Sequence, residues 1–314
     1  MTTIVAGRPL QRLLAAGRGG TLSERTPAHL VTLGLVTVAL LVAPHLNVNS
    51  YHLTVLYYVL FYAAFTQTWN LSSGMTGYLS FAHPFLLAAG GYAALFGLHR
   101  GLGLSAAIAL GAGIGLLAGG VLALTSVRAR HLVFGFLTLF IVMAMEIVAE
   151  LWTPVTGGVS GLIAPKFTSF ELSYYLTAVA LLVTTLAIVL LRSRIVGREV
   201  LAIRDDEDVA ASVGINTSML KALLFGAAGG LTGLIGASHV LFLGSAHPNN
   251  LFPLHLIVLP LALTLVGGAS RVWGPLLAAG GYTLLTEMLR VSAPTIHLII
   301  LGAAVVLVAR LRSI

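Results

Sequence analysis

The chain has 314 residues and a formal net charge of +7. It is 58% hydrophobic and only 9% charged, with a mean hydropathy of +0.99. That excludes a soluble globular protein, which could not bury so much apolar surface. The basic residues flank apolar runs, so they read as membrane-topology signals and not as a nucleic-acid surface. The absence of cysteine excludes disulfides and thiol chemistry.

Residues 1–27 carry Arg8, Arg12, Arg18 and Arg25 and read as a cytoplasmic N-terminal segment. No small-residue cleavage site follows the first apolar run, so a retained helix is expected there. A bilayer core of about 30 Å takes roughly 20 apolar residues per helix. Ten segments qualify: about 28–46, 53–70, 83–99, 103–125, 132–151, 172–191, 220–243, 253–268, 274–290 and 295–310. Residues 28–310 therefore read as one all-α, polytopic membrane domain, followed by a cytoplasmic tail at 311–314. The third and eighth spans carry Pro84, Gly90, Gly91, Pro253 and Pro260, breakers that can bend them or make them partly re-entrant. With the N-terminus in the cytoplasm, fourteen of the seventeen Lys and Arg residues fall inside. Only Arg100, Lys166 and Arg290 fall outside, so both termini are expected in the cytoplasm.

The string LLAAGGY occurs twice, at 86–92 and 276–282. The copies lie six spans apart and run in the same direction, whereas inverted repeats need an odd offset. A parallel repeat and convergent packing chemistry both remain open. Gly111, Gly115 and Gly119 share one helix face, as do Gly229, Gly233 and Ala237; such faces predict close helix–helix approach.

Several chemistries are missing. Neither lysine follows a glycine, so the chain has no phosphate-binding GK[ST] loop and no ATP site of that type. No metalloprotease, nucleophile-elbow or calcium-loop pattern is present. His239, His247 and His255 are evenly spaced but straddle an expected outer loop, so no metal site is assigned. Glu146 lies one turn from Glu150 in the fifth span. An intramembrane carboxylate there belongs to a solute pathway or to a buried hydrogen-bonded scaffold.

The longest expected cytoplasmic loop, 192–219, differs from an ordinary connector. Asp205 or Asp206 can cap a short helix whose first turn holds Glu207 and Asp208. Gly214 can stop that helix in a left-handed conformation. The product is a small-faced helix outside the bilayer, fit either to receive a partner or merely to stay solvated.

At this loop the sequence resembles a known family. GREVLAIRDDEDVAASVGIN (197–216) is similar to the cytoplasmic coupling segment of permeases from branched-chain amino acid ABC importers. NLSSGMTGYLSFAHPFLLAAGGY (70–92), WTPVTGGVSGL (152–162) and LTLVGGASRVWGPLLAA (263–279) are similar to three further family segments, in the same order. Ala82 and Pro84 depart from the family's usual Gly and Ala, and Gly268-Ala269 departs from a Gly-x-Gly spacing.

The resemblance implies an ABC importer permease fold of about ten transmembrane helices with an inverted repeat. It implies a second permease, two ATP-binding cassette subunits docked at 205–214, and an extracytoplasmic solute-binding protein. ATP and Mg would be bound by the ATPases, with no cofactor in this chain, no catalytic residue and no metal site. The expected location is the prokaryotic inner membrane. Arg204, Asp206, Glu207, Ala210, Ala211 and Gly214 are the expected coupling residues. Asn70, Gly77, Ser80 and His83, together with Glu146, are the expected pathway residues. The expected cargo is a branched-chain amino acid. Urea or short amides are alternatives within the family, and a stand-alone secondary transporter or channel is the rival outside it.

Overall fold

A computed structural model describes residues 26–45, 49–129, 131–165 and 170–292. The described chain is almost entirely helical: α1 (Thr26–Val42), α2 (Ser50–Trp69), α3 (His83–His99), α4 (Leu104–Arg128), α5 (His131–Leu151), α6 (Thr153–Thr156), α7 (Phe170–Ser193), α8 (Ile195–Asp205), α9 (Glu207–Ser212), α10 (Thr217–Leu243), α11 (Pro248–Leu251), α12 (Leu254–Gly267) and α13 (Gly274–Ser292). Nine of the expected spans each fall on one of these helices. The expected tenth span at 295–310, the tail and residues 1–25 lie outside the described residues. Five described stretches are both long and apolar enough to cross a membrane: Leu104–Ser126, Leu132–Leu151, Phe170–Ser193, Thr217–Leu243 and Pro248–Gly267.

The organising element is α10, which packs on α2, α3, α4 and α7. The reason lies in its glycines. A Cβ on Gly233 would come within 2.6 Å of the Gly111 carbonyl oxygen, and one on Gly229 within 2.3 Å of the Gly115 carbonyl oxygen. From the other side, a Cβ on Gly119 would come within 2.2 Å of the Phe225 carbonyl oxygen. The two small-residue faces read from the sequence therefore face each other, backbone against backbone. Gly90 and Gly91 of α3 join the same seam, opposite Gly233 and Gly236.

The rest of the bundle is built more conventionally. Tyr57, Phe61, Phe65, Tyr174, Leu181 and Val240 form a large buried cluster between α2, α7 and α10. α13 packs on α2 and α12. α5 is peripheral and leaves Phe136, Phe140, Met143 and Ile147 exposed, as expected of a surface facing lipid or another subunit.

The two ends of the bundle differ. At one end a two-residue ladder pairs β1 (Leu162–Ile163) antiparallel with β2 (Ser245–Ala246). The glycine-rich stretch leading into β1 has Gly157, Gly158 and Gly161 at positive φ, as its tight turns require. At the other end α8 and α9 form an elbow outside the long helices. The break anticipated in the third span falls just before it: α3 is continuous through Gly90 and Gly91 and starts at His83-Pro84, with Pro84 where a first turn tolerates it.

Candidate functional site

At the elbow end α2 runs into a single π-helical turn, Asn70–Gly74. Such turns are short and recur at functional places. Gly74 is required here, because a Cβ would come within 2.2 Å of the Asn70 Oδ1. After Gly77, at φ +78, the chain leaves helical geometry and turns back into the bundle before α3 begins. Trp69 Nε1 donates to the Ser80 carbonyl at 2.7 Å, and the Phe81 amide donates to Thr138 Oγ1 on α5 at 3.0 Å. The unwound stretch 77–82 is thus surrounded by polar partners, as a non-helical backbone within a membrane bundle requires.

Three of the expected pathway residues share one neighbourhood. Asn70 is buried and its amide bridges three groups. Its Nδ2 donates to the Arg271 carbonyl at 2.8 Å and to Gln67 Oε1 at 3.1 Å, and its Oδ1 accepts from the Ser270 amide at 2.8 Å. Ser80 is buried beside Trp69, and its Oγ accepts from the Ala82 amide at 3.3 Å. His83 is 1% exposed and sits near the Phe65 and Trp69 rings. Gly77 belongs to the same segment but faces the elbow. Glu146 stands apart, half-buried on α5 toward the strand end.

The loop before α13 is tied to this segment. Gln67 Nε2 donates to the Val272 carbonyl at 2.7 Å, and Arg192 Nη1 donates to the Ser270 carbonyl at 2.5 Å. Ser270 is the only non-glycine described residue at positive φ, 63°. That strained conformation follows directly on Gly268-Ala269, and Gln67, Asn70 and Arg192 hold the loop around it.

The elbow residues form the other half of the site. α8 leaves α7 by a turn so tight that a Cβ on Gly197 would lie 1.7 Å from the Leu191 carbonyl oxygen. Of the two possible caps, Asp206 is used: its side chain accepts from the Asp208 and Val209 amides at 3.0 and 3.1 Å. Gly214, at φ +90, closes α9 with two backbone bonds, Gly214 to Ala211 and Ile215 to Ala210, the pattern of a Schellman stop. Ala210 is buried under α9, whereas Ala211 faces outward with Val209 at 51% and Val213 at 71% exposure.

Arg204 and Glu207 turn back onto this chain. Arg204 Nη1 donates to the Gly74 carbonyl at 3.2 Å and to the Ala269 carbonyl at 3.4 Å. Its side chain leaves Gly77 no room, since a Cβ there would lie 2.8 Å from Arg204 Cγ. Glu207 is nearly buried. Its Oε1 accepts from Lys221 Nζ at 2.7 Å and its Oε2 accepts from the Tyr78 hydroxyl. Lys221 also donates to the Ser126 carbonyl at 3.2 Å and to the Tyr78 oxygen at 3.3 Å. Burial pushes the Glu207 carboxyl up, but hydrogen bonds from Lys221, Tyr78 and Thr217 outweigh it and hold the group below its ordinary range.

The two sets of residues read separately from the sequence therefore touch at Arg204–Gly77, and Arg204–Gly74 and Glu207–Tyr78 join the same two segments. Sequence reasoning missed Gln67, Tyr78, Lys221 and Ser270. Lys221 carried a signal, because a lysine within the first turn or so of a long apolar helix needs a partner. Among the described residues no three His, Asp or Glu side chains are grouped as metal ligands.

A family model described as "Branched-chain amino acid transport system / permease component" matches residues 51–309. The chain belongs to this family. The permease is thus a multi-pass membrane subunit of a transport system, and the match spans both the unwound segment and the elbow. Comparison with curated proteins and with solved structures gave no match.

Proposed function

We propose that this permease is one transmembrane subunit of an ATP-driven, binding-protein-dependent importer for a small polar or zwitterionic solute, with branched-chain amino acids as the first candidates. It works with a second permease, two ATP-binding cassette subunits that carry ATP and Mg, and an extracytoplasmic solute-binding protein. About ten spans, arranged as an inverted repeat, place both termini and the elbow in the cytoplasm of a prokaryotic inner membrane.

The observation that carries this reading is the outer face of α9. A helix capped at both ends by its own residues presents Val209, Ala211 and Val213 to solvent. Apolar side chains of that size outside a bilayer favour a partner that covers them. Arg204 and Glu207 support the docking from beneath, by fixing the elbow to its own subunit. The outward residues, Ala211 above all, form the contact with the ATPase. Ser80, His83 and the backbone of 77–82 lie beside the solute route, and Asn70 holds the break open. Glu146, on the peripheral α5, lies along the outer part of that route.

The test is a single substitution. Ala211→Arg should abolish uptake while the amount of permease in the membrane stays unchanged. Wild-type uptake by that variant would remove the docking role. Purification from native membranes should bring down two ATPase subunits and a second permease. Recovery of the permease alone, under detergents that keep a control importer intact, would favour a stand-alone secondary transporter.

A further inference from the structure

We propose that Glu207, Lys221 and Tyr78 form a latch that makes α9 and the unwound segment 77–82 move as one body. A displacement of the elbow is then delivered to the break ahead of α3. The inference rests on the importer reading and adds positioning residues to it.

The geometry is that of a closed network. Both carboxylate oxygens of Glu207 are used, one by Lys221 and one by Tyr78. The three ammonium protons of Lys221 face three acceptors: Glu207, Ser126 and Tyr78. The ammonium also lies 4.4 Å from the Tyr78 ring centroid. Tyr78 is 1% exposed and its ring packs edge-on to Phe134, which meets Phe225 in the same manner. Lys221 is likewise 1% exposed and the Glu207 side chain 10%, so water has little access to the pair.

Stability alone is a poor reason for such a network. Apolar side chains of similar volume would fill the site at least as favourably. What an ion pair supplies is register, because only one arrangement of the three elements satisfies every group. The elements it joins are also telling. Glu207 opens α9, Tyr78 belongs to the unwound segment, and Lys221 and Ser126 lie on α10 and α4, the two helices of the glycine seam. Arg204 adds a second fastening, to the Gly74 carbonyl, on the same stretch of chain. The elbow thus grips the unwound segment at two points.

The permease has no cysteine, so two introduced thiols are the only ones it carries. The assembled complex is reconstituted in liposomes with Tyr78→Cys, Glu207→Cys and Lys221→Met combined, and leucine uptake and ATP hydrolysis are measured together. Leucine accumulated per ATP hydrolysed should fall about tenfold. A short bifunctional thiol reagent that ties positions 78 and 207 should return the ratio to near the wild-type value. A tied complex that hydrolyses ATP but stays uncoupled overturns the latch, as does an untied variant with the wild-type ratio. Tyr78→Phe keeps the fold and removes one hydroxyl; uptake per ATP should drop about fivefold, and an unchanged ratio overturns the proposal. Wild-type complex that accumulates leucine without ATP sinks the importer reading itself and the latch with it.

Discussion

The two copies of LLAAGGY are both helical, yet they are held in opposite ways. In α3, a Cβ on Gly90 would come within 2.3 Å of the Gly233 Cα, and one on Gly91 within 2.7 Å of Val240 Cγ1. In α13, Gly281 has no described atom within 4 Å of such a Cβ, and Gly280 meets only Val59 Cγ1 at 3.9 Å. The first copy is gripped along its length by glycine against glycine. The second is anchored from its end, where Asn70 and Gln67 bind the loop just before α13. Seven identical residues thus define a helix with a small face. What meets that face is decided elsewhere in the chain.

Four substitutions break or sharpen this contrast. Gly90→Ala should be the most damaging, at about 3 kcal/mol, because backbone cannot withdraw as a flexible side chain can. The thermal midpoint of purified permease, followed by the loss of monodisperse protein on heating, would read it. A midpoint equal to wild type would mean that the seam is looser than described. Asn70→Ala attacks the other anchor and should cost about 2 kcal/mol, since it leaves the Ser270 amide and the Arg271 carbonyl without their partner. The same assay applies, and protease cleavage within 268–273 should rise; unchanged cleavage would argue that Arg192 and Gln67 suffice to hold the loop. Ser270→Gly should gain about 0.5–1 kcal/mol by relieving a left-handed serine. A loss instead would show that the serine hydroxyl matters more than its backbone. Gly281→Ala should stay within about 0.5 kcal/mol of wild type. A large loss there would reveal a close neighbour on α13 in the assembled membrane protein.

Much of this was legible before any coordinates. Apolar run lengths located the helices, Asp205 or Asp206 and Gly214 bounded α9, and glycines at steps of four marked the faces that meet. Local chemistry settles each of these within a few residues of chain. The pairing of the parts was not legible in that way. Arg204 meets Gly74 across 130 residues, Tyr78 meets Glu207 across 129, and Asn70 meets Ser270 across 200. No periodicity encodes such distances. Lys221 shows the limit well: its charge counts as a topology mark, and only its partners reveal it as part of the site. The π-turn at Asn70–Gly74 is likewise invisible as a pattern, since it depends on where the Asn70 side chain is drawn.

The glycine seam also carries a timetable. The face of α4 that holds Gly111, Gly115 and Gly119 has its mate on α10, roughly 100 residues later, a stretch that takes about 5–20 s to synthesise at about 5–20 residues per second. Through that interval α4 lies in the bilayer with α3 against Gly111 and the furrow at Gly115 and Gly119 still without its mate. The joint between α4 and α10 is therefore closed late, after most of the chain around it has been threaded. A newborn permease passes through a stage in which α4 is inserted and its mate is still unmade.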